Sequence, residues 1–105
     1  MNEDFEIVVM ELVVNAGDGR SKAIQAIREA RAGNFGEAEK LLQESDDALV
    51  RCHHVQTDLI QSEVQGKPVH VSLLMVHAQD HLMNAMTVKD LAREMIEILK
   101  EKAEV

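Results

Sequence analysis

Aromatic residues are almost missing from this chain: 105 residues contain two Phe, no Trp and no Tyr. Sheets draw heavily on aromatic and β-branched side chains, so a β-rich core is excluded. What remains for a core is Leu, Ile, Val, Met and Ala, a palette suited to helices packed on helices. A single cysteine, Cys52, rules out an intramolecular disulfide framework and reads as a small buried hydrophobe. No apolar run approaches the roughly 20 residues that a membrane span needs. Positive charge is scarce too, with 11 Lys and Arg against 19 Asp and Glu and a formal net charge of −8. A phosphate-coated partner would be repelled, which excludes nucleic acid. The opening MNEDFEIVVMELVV is acidic and has neither a basic n-region nor a cleavage site, so it is not a secretory signal. The expectation is a cytoplasmic protein that inserts in no membrane.

What is present is periodic. The length fits one domain over residues 1–105. Gly33-Asn34 and Gly66-Lys67-Pro68 divide it into three segments with helical spacing, at about 4–32, 34–64 and 72–102. The first carries Phe5, Val8, Val9, Leu12, Val13 and Ala16, and the stripe resumes in phase at Ala23, Ile27 and Ala30. Gly17 and Gly19 interrupt it, each costing up to about 1 kcal/mol against Ala, and the preserved phase favours one continuous helix. The second shows Asn34 followed by Glu37, the spacing of a capping box, then Ala38, Leu41, Leu42, Ala48, Leu49, Cys52, Val55 and Leu59. The third begins near Ser72, a cap residue, and ends with Lys100 and Lys102, which suit the negative end of the helix dipole. Short connections make sequential helices antiparallel, giving an all-α up-down bundle. A single layer of this size leaves apolar surface uncovered, which points to an oligomer.

One stretch departs from the core pattern: His77-Ala78-Gln79-Asp80-His81-Leu82-Met83-Asn84. Residues Leu73, His77, Asp80, Asn84, Thr87 and Leu91 alternate by four and three, forming a helical seam with apolar ends and a polar middle. Such a seam wants a partner helix. Three chemistries suit these residues. A neutral imidazole is a nucleophile near pH 7 and can carry a labile phosphoryl group. His77 and His81, one turn apart with Asp80 between them, could ligate a metal. A His–Asp pair could do general acid/base work. Against these, a lone His on a helix seam is usually a hydrogen-bonded structural residue, and an H-x-x-x-H pair recurs by chance. His53 and His54 are adjacent and diverge by about 100°, so they share no face. Met75, Met83, Met86 and Met95 read as core filler.

The string Ser72-Leu-Leu-Met-Val-His77-Ala-Gln-Asp80-His81-Leu-Met83 closely resembles the phosphorylation segment of the enzyme IIA component of the lactose/cellobiose (chitobiose) family of the bacterial sugar phosphotransferase system. The similarity extends to Asn15-Ala16-Gly17, Arg20-Ser21, Phe35, Glu37-Ala38-Glu39, the run His53 to Gln61, and Thr87 to Ala92. The resemblance implies a three-helix antiparallel bundle assembled as a homotrimer, with the third helices around the three-fold axis. It implies that His77 accepts a phosphoryl group, at Nε2, from the histidine phosphocarrier protein and passes it to a cysteine of the cognate IIB during disaccharide uptake. It also implies that Asp80 faces the axis and contributes to a divalent-cation site. Three carboxylates brought together either raise a pKa or require a cation, and hard oxygen ligands suit Mg²⁺. Gln79 and His81 are candidates for orienting the phosphoryl group. No organic cofactor is implied. The alternative reading is a metal-binding helical interaction module without phosphoryl transfer.

Overall fold

The computed structural model describes residues 3–104; Met1 and Asn2, the start of the acidic amino terminus read above, and Val105 lie outside them. Three helices account for nearly all of the described chain: α1 Glu3–Arg31, α2 Phe35–Val64 and α3 Leu73–Ala103. Each predicted boundary falls within one residue of the observed one. The bundle is a rod of 56 × 23 × 19 Å. α1 packs along both other helices, whereas α2 and α3 touch each other less.

Both breaks between helices are set by glycine. Gly33 and Gly66 sit at φ 86° and 83°, in the left-handed region that a Cβ disfavours. Each ends its helix in a Schellman motif. Asn34 N–H donates to the Glu29 carbonyl (2.9 Å) and Gly33 N–H to Ala30 (3.0 Å). Lys67 N–H donates to Ser62 (2.9 Å) and Gly66 N–H to Glu63 (3.1 Å). The first motif overturns one expectation. Asn34 does not close a capping box: its side chain makes no cap bond to α2, and its Nδ2 donates to Glu29 Oε2 at 2.9 Å. With so short a connection, Asn34 is consumed by the end of α1. At α3 the expected cap is present, with Ser72 in extended backbone and its Oγ accepting from Met75 N–H at 3.1 Å.

The core divides into two lobes. One joins Val9, Leu12 and Ala16 of α1 to Leu49 and Cys52 of α2 and to Met75, Ala78, Leu82 and Ala85 of α3. The other joins Ala23, Ala26 and Ala30 to Ala38 and Leu42 and to Ala92 and Ile96. Residue numbers rise along α1 and α3 and fall along α2 from the first lobe to the second, which is the up-down-up order expected. Between the lobes Ser45 is fully buried, and its Oγ donates to the Gly19 carbonyl at 2.6 Å.

This crossing explains Gly19 but not Gly17. α1 is unbroken, and a Cβ on Gly19 would lie 2.8 Å from the Cγ and Cδ2 of the buried Leu49, whereas one on Gly17 would meet nothing within 4 Å. Helix propensity favours Ala at both by about 1 kcal/mol, but overpacking a core costs about 1–3 kcal/mol. Gly17→Ala should therefore raise the urea midpoint, and Gly19→Ala should lower it. Equal shifts of one sign would show that α1 and α2 do not approach this closely.

The second lobe is reinforced by ion pairs between α2 and α3. Glu39 accepts from Lys100 Nζ (2.6 Å) and from Arg93 Nη1 (2.8 and 2.9 Å), and Asp46 pairs with Lys89 (2.9 Å). The hydrogen bond from Lys100, then that from Arg93, holds the Glu39 carboxyl below its usual range. A carboxyl depressed on folding stabilises the native state above its unfolded value and loses that contribution as pH falls through the folded one. The pairs are substantially exposed, so solvent screening keeps the contribution small. Glu39→Gln should thus cost stability at pH 7, and the gap from wild type should close as pH falls below 4.5, the carboxyl's ordinary value. Melting curves of both proteins between pH 3 and pH 7 (~4 units spanning the carboxylate range) would show it. A gap independent of pH would assign it to lost packing.

Candidate functional site

The polar string lies in the first turns of α3, directly after the Ser72 cap. The helix is held by its opposite face, where Ala78, Leu82 and Ala85 are completely buried. That anchoring turns the predicted seam outward. His77, Asp80, Asn84 and Thr87 are exposed, and the apolar ends Leu73 and Leu91 are 86% and 52% exposed. Met83 and Met95 are also about half exposed, so only Met75 and Met86 serve as the expected core filler.

His77 and His81 meet as expected of an i, i+4 pair: their ring centroids lie 4.3 Å apart with planes tilted by 46°. His81 is half-buried and continues into a groove between α1 and α3 lined by Gly17, Arg20, Asp80, Asn84 and Thr87. His77 is the outer ring of the pair and is open to a macromolecular partner. Asp80 shares this side of the helix.

Gln79 does not. Two residues from His77, it stands about 200° away around the helix axis. Its Oε1 accepts from Gln56 Nε2 of α2 at 2.7 Å, and its Nε2 donates to Met75 Sδ at 3.6 Å. Gln79 also borders an apolar groove of about 340 Å³ between the end of α2 and the start of α3, walled by Leu59, Ile60, Val69, Val71 and Val76. Gln56 was not singled out from the sequence. The signal was present: an amide stands on the apolar stripe of α2, four residues after Cys52 and three before Leu59.

Other reactive groups are placed away from this face. Cys52 is 2% exposed, burial pushes its thiol up, and its S–H faces the Leu12 carbonyl at 3.9 Å. A protonated, enclosed thiol is a poor nucleophile. His53 and His54 are exposed on α2. Among the described residues no group of three or more His, Cys, Asp or Glu could hold a metal. Asp80 is an exposed hard-oxygen donor, which fits an ion such as Mg²⁺, but one copy of the chain supplies only one such carboxylate at this face.

Known proteins resemble the chain along nearly its whole length. The family model described as "PTS system, Lactose/Cellobiose specific IIA subunit" matches residues 7–100. The lichenan-specific phosphotransferase enzyme IIA component of Bacillus subtilis (strain 168) is 49% identical over 99% of this chain and 94% of its own length. The cellobiose-specific EIIA component of Lactococcus lactis subsp. lactis is 47% identical over 90% of this chain and 82% of its own. Among solved structures, the cellobiose-specific enzyme IIA of Bacillus anthracis superposes with a TM-score of 0.92 at 41% identity, covering 99% of this chain and 95% of that one. The IIA(Chitobiose)–HPr complex of Escherichia coli gives 0.82 at 40% identity, covering 99% and 100%. Helix for helix and along nearly its full length, the chain belongs to the lactose/cellobiose-specific IIA family of the sugar phosphotransferase system, whose members are relay components of phosphoryl transfer.

Proposed function

We propose that His77 is the phosphoryl-carrying residue of this IIA component, charged by the histidine phosphocarrier protein and discharged to a cysteine of a cognate IIB during disaccharide uptake. The observation that carries this reading is an exposed imidazole on a capped, well-anchored helix in a family whose E. coli relative has been solved bound to HPr. Transfer between two imidazoles is close to symmetric. The lone pair on His77 Nε2 forms the new P–N bond while the donor's P–N bond breaks and its ring recovers a lone pair. The protein's task is in-line placement and hydrogen bonding to the equatorial oxygens. His81, in contact with the acceptor ring, is the nearer orienting group. Gln79 is engaged with α2 and would orient through that contact.

The outward seam of α3 supports a homotrimer with the third helices packed around a three-fold axis, since Leu73, Leu91 and Ile98 otherwise stay in water. In that assembly three copies of Asp80 would approach one another, and their carboxylates would hold a divalent cation of the Mg²⁺ type. The ion, when bound, offsets like-charge repulsion and has no part in the transfer. The metal-binding module without phosphoryl transfer lacks a third ligand among the described residues. Among the described residues no helix is long and apolar enough to cross a membrane, which agrees with a cytoplasmic relay protein.

Incubation with phosphoenolpyruvate, enzyme I and the phosphocarrier should yield one acid-labile, base-stable phosphoryl group per chain. An unmodified chain in a mixture where the phosphocarrier is itself charged would refute the assignment.

A further inference from the structure

We propose that Gln56 is a positioning residue for phosphoryl transfer, acting through Gln79 to fix the rotation of α3 about its own axis and thereby the aim of His77. This rests on the carrier role proposed for His77. Among the described residues, the only side-chain hydrogen bonds from α2 to the first three turns of α3 come from Gln56: Nε2 donates to Gln79 Oε1 at 2.7 Å and lies 3.7 Å from Met83 Sδ. Gln79 in turn donates to Met75 Sδ at 3.6 Å. A directional amide pair therefore sits between two thioethers.

Burial of Ala78, Leu82 and Ala85 already sets which side of α3 faces outward, and the remaining neighbours explain why the finer aim comes from the amides. Apolar burial is non-directional, and Met is the most adaptable of core side chains. Met75, half-exposed Met83 and partly buried Met86 flank this part of α3. They would tolerate a small roll of the helix that a 2.7 Å hydrogen bond resists. The ion pairs that join α2 to α3 all lie at Lys89 or beyond. A helix side chain ends some 6 Å from the axis, so a roll of about 10° carries the His77 ring by roughly 1 Å. A misplacement of that order costs in-line chemistry as much as about 100-fold.

The test is single-turnover transfer from phosphorylated histidine phosphocarrier to wild type, Gln56→Leu, Gln79→Leu and the Gln56→Leu/Gln79→Leu double variant. Each is also examined for the imidazole ¹⁵N resonances of His77. Replacing both amides leaves no unpaired polar group, so the double variant should melt close to wild type. All three variants are expected to slow transfer at saturating donor by about ten-fold or more, with an unchanged half-saturating donor concentration and shifted His77 resonances. Wild-type rates in Gln56→Leu with loss only in Gln79→Leu would overturn the proposal, because Gln79 would then act directly. A change confined to the half-saturating concentration would also overturn it, assigning the pair to docking. Failure of wild type to carry the label at His77 would instead refute the carrier role itself.

Discussion

His77→Ala should take up no phosphoryl group under conditions that charge the wild-type chain fully. The acceptor nitrogen is removed and no neighbour can replace it. His81 is half-buried one turn along the helix, His70 lies in the connection before α3, His53 and His54 stand on α2, and the Cys52 thiol is enclosed and held protonated by burial. Loss of a covalent nucleophile removes the reaction path itself, so transfer should fall by at least about 10⁴-fold, to background. The fold should survive. His77 is exposed and packs its ring near that of His81 at the helix surface, so the stability change should stay within about 0.5 kcal/mol. Mass spectrometry of the intact chain, alongside a melting curve, separates the two effects. Label persisting in the variant would mean that the acceptor lies elsewhere.

Leu82→Ala should produce the largest loss of stability. Leu82 is completely buried and lies in the lobe that also contains Leu12, Leu49 and Cys52. Truncating a buried Leu costs about 2–5 kcal/mol, the spread reflecting how far the surroundings collapse. Collapse is restricted here, because the facing residues belong to long helices that the second lobe also holds. A value near 3 kcal/mol corresponds to a fall in Tm of roughly 12–24 °C for a domain of this size. Leu91→Ala on the same helix, half exposed, is the control and should lose far less in the isolated chain. If the two were equal, the burial pattern of α3 would be wrong. Protein concentration must be held constant between samples, since an oligomer's melting point depends on it.

The helices were legible because their punctuation is chemical. Gly33 and Gly66 supply a backbone conformation that few other residues accept, and Ser72 supplies the cap oxygen. The acceptor candidate was legible because His77 and Asp80 interrupt an apolar rhythm. Periodicity alone could not show which α3 residues face inward. Leu73, Leu91 and Met95 fit a helical stripe as well as Leu82 does, and only packing against α1 sorts them. Gly19 reads as a weak point in isolation; its purpose is a close approach to Leu49, a residue 30 positions later. Asn34 failed as a cap because the preceding helix claims it, a competition that spacing rules ignore. Gln56 stayed hidden because an amide on an apolar stripe declares itself only when its partner, 23 residues away, is seen.

The bonds that tie α2 to α3 differ in kind along the rod. Around Glu39 and Asp46 they join full charges, while beside the polar string they join neutral amides. Dissolved salt discriminates between them. At about 1 M ionic strength the screening length shrinks to roughly 3 Å, which weakens the exposed charged contacts and leaves the amide pair untouched. Concentrated electrolyte therefore loosens the end of the molecule remote from His77 and spares the end that bears it.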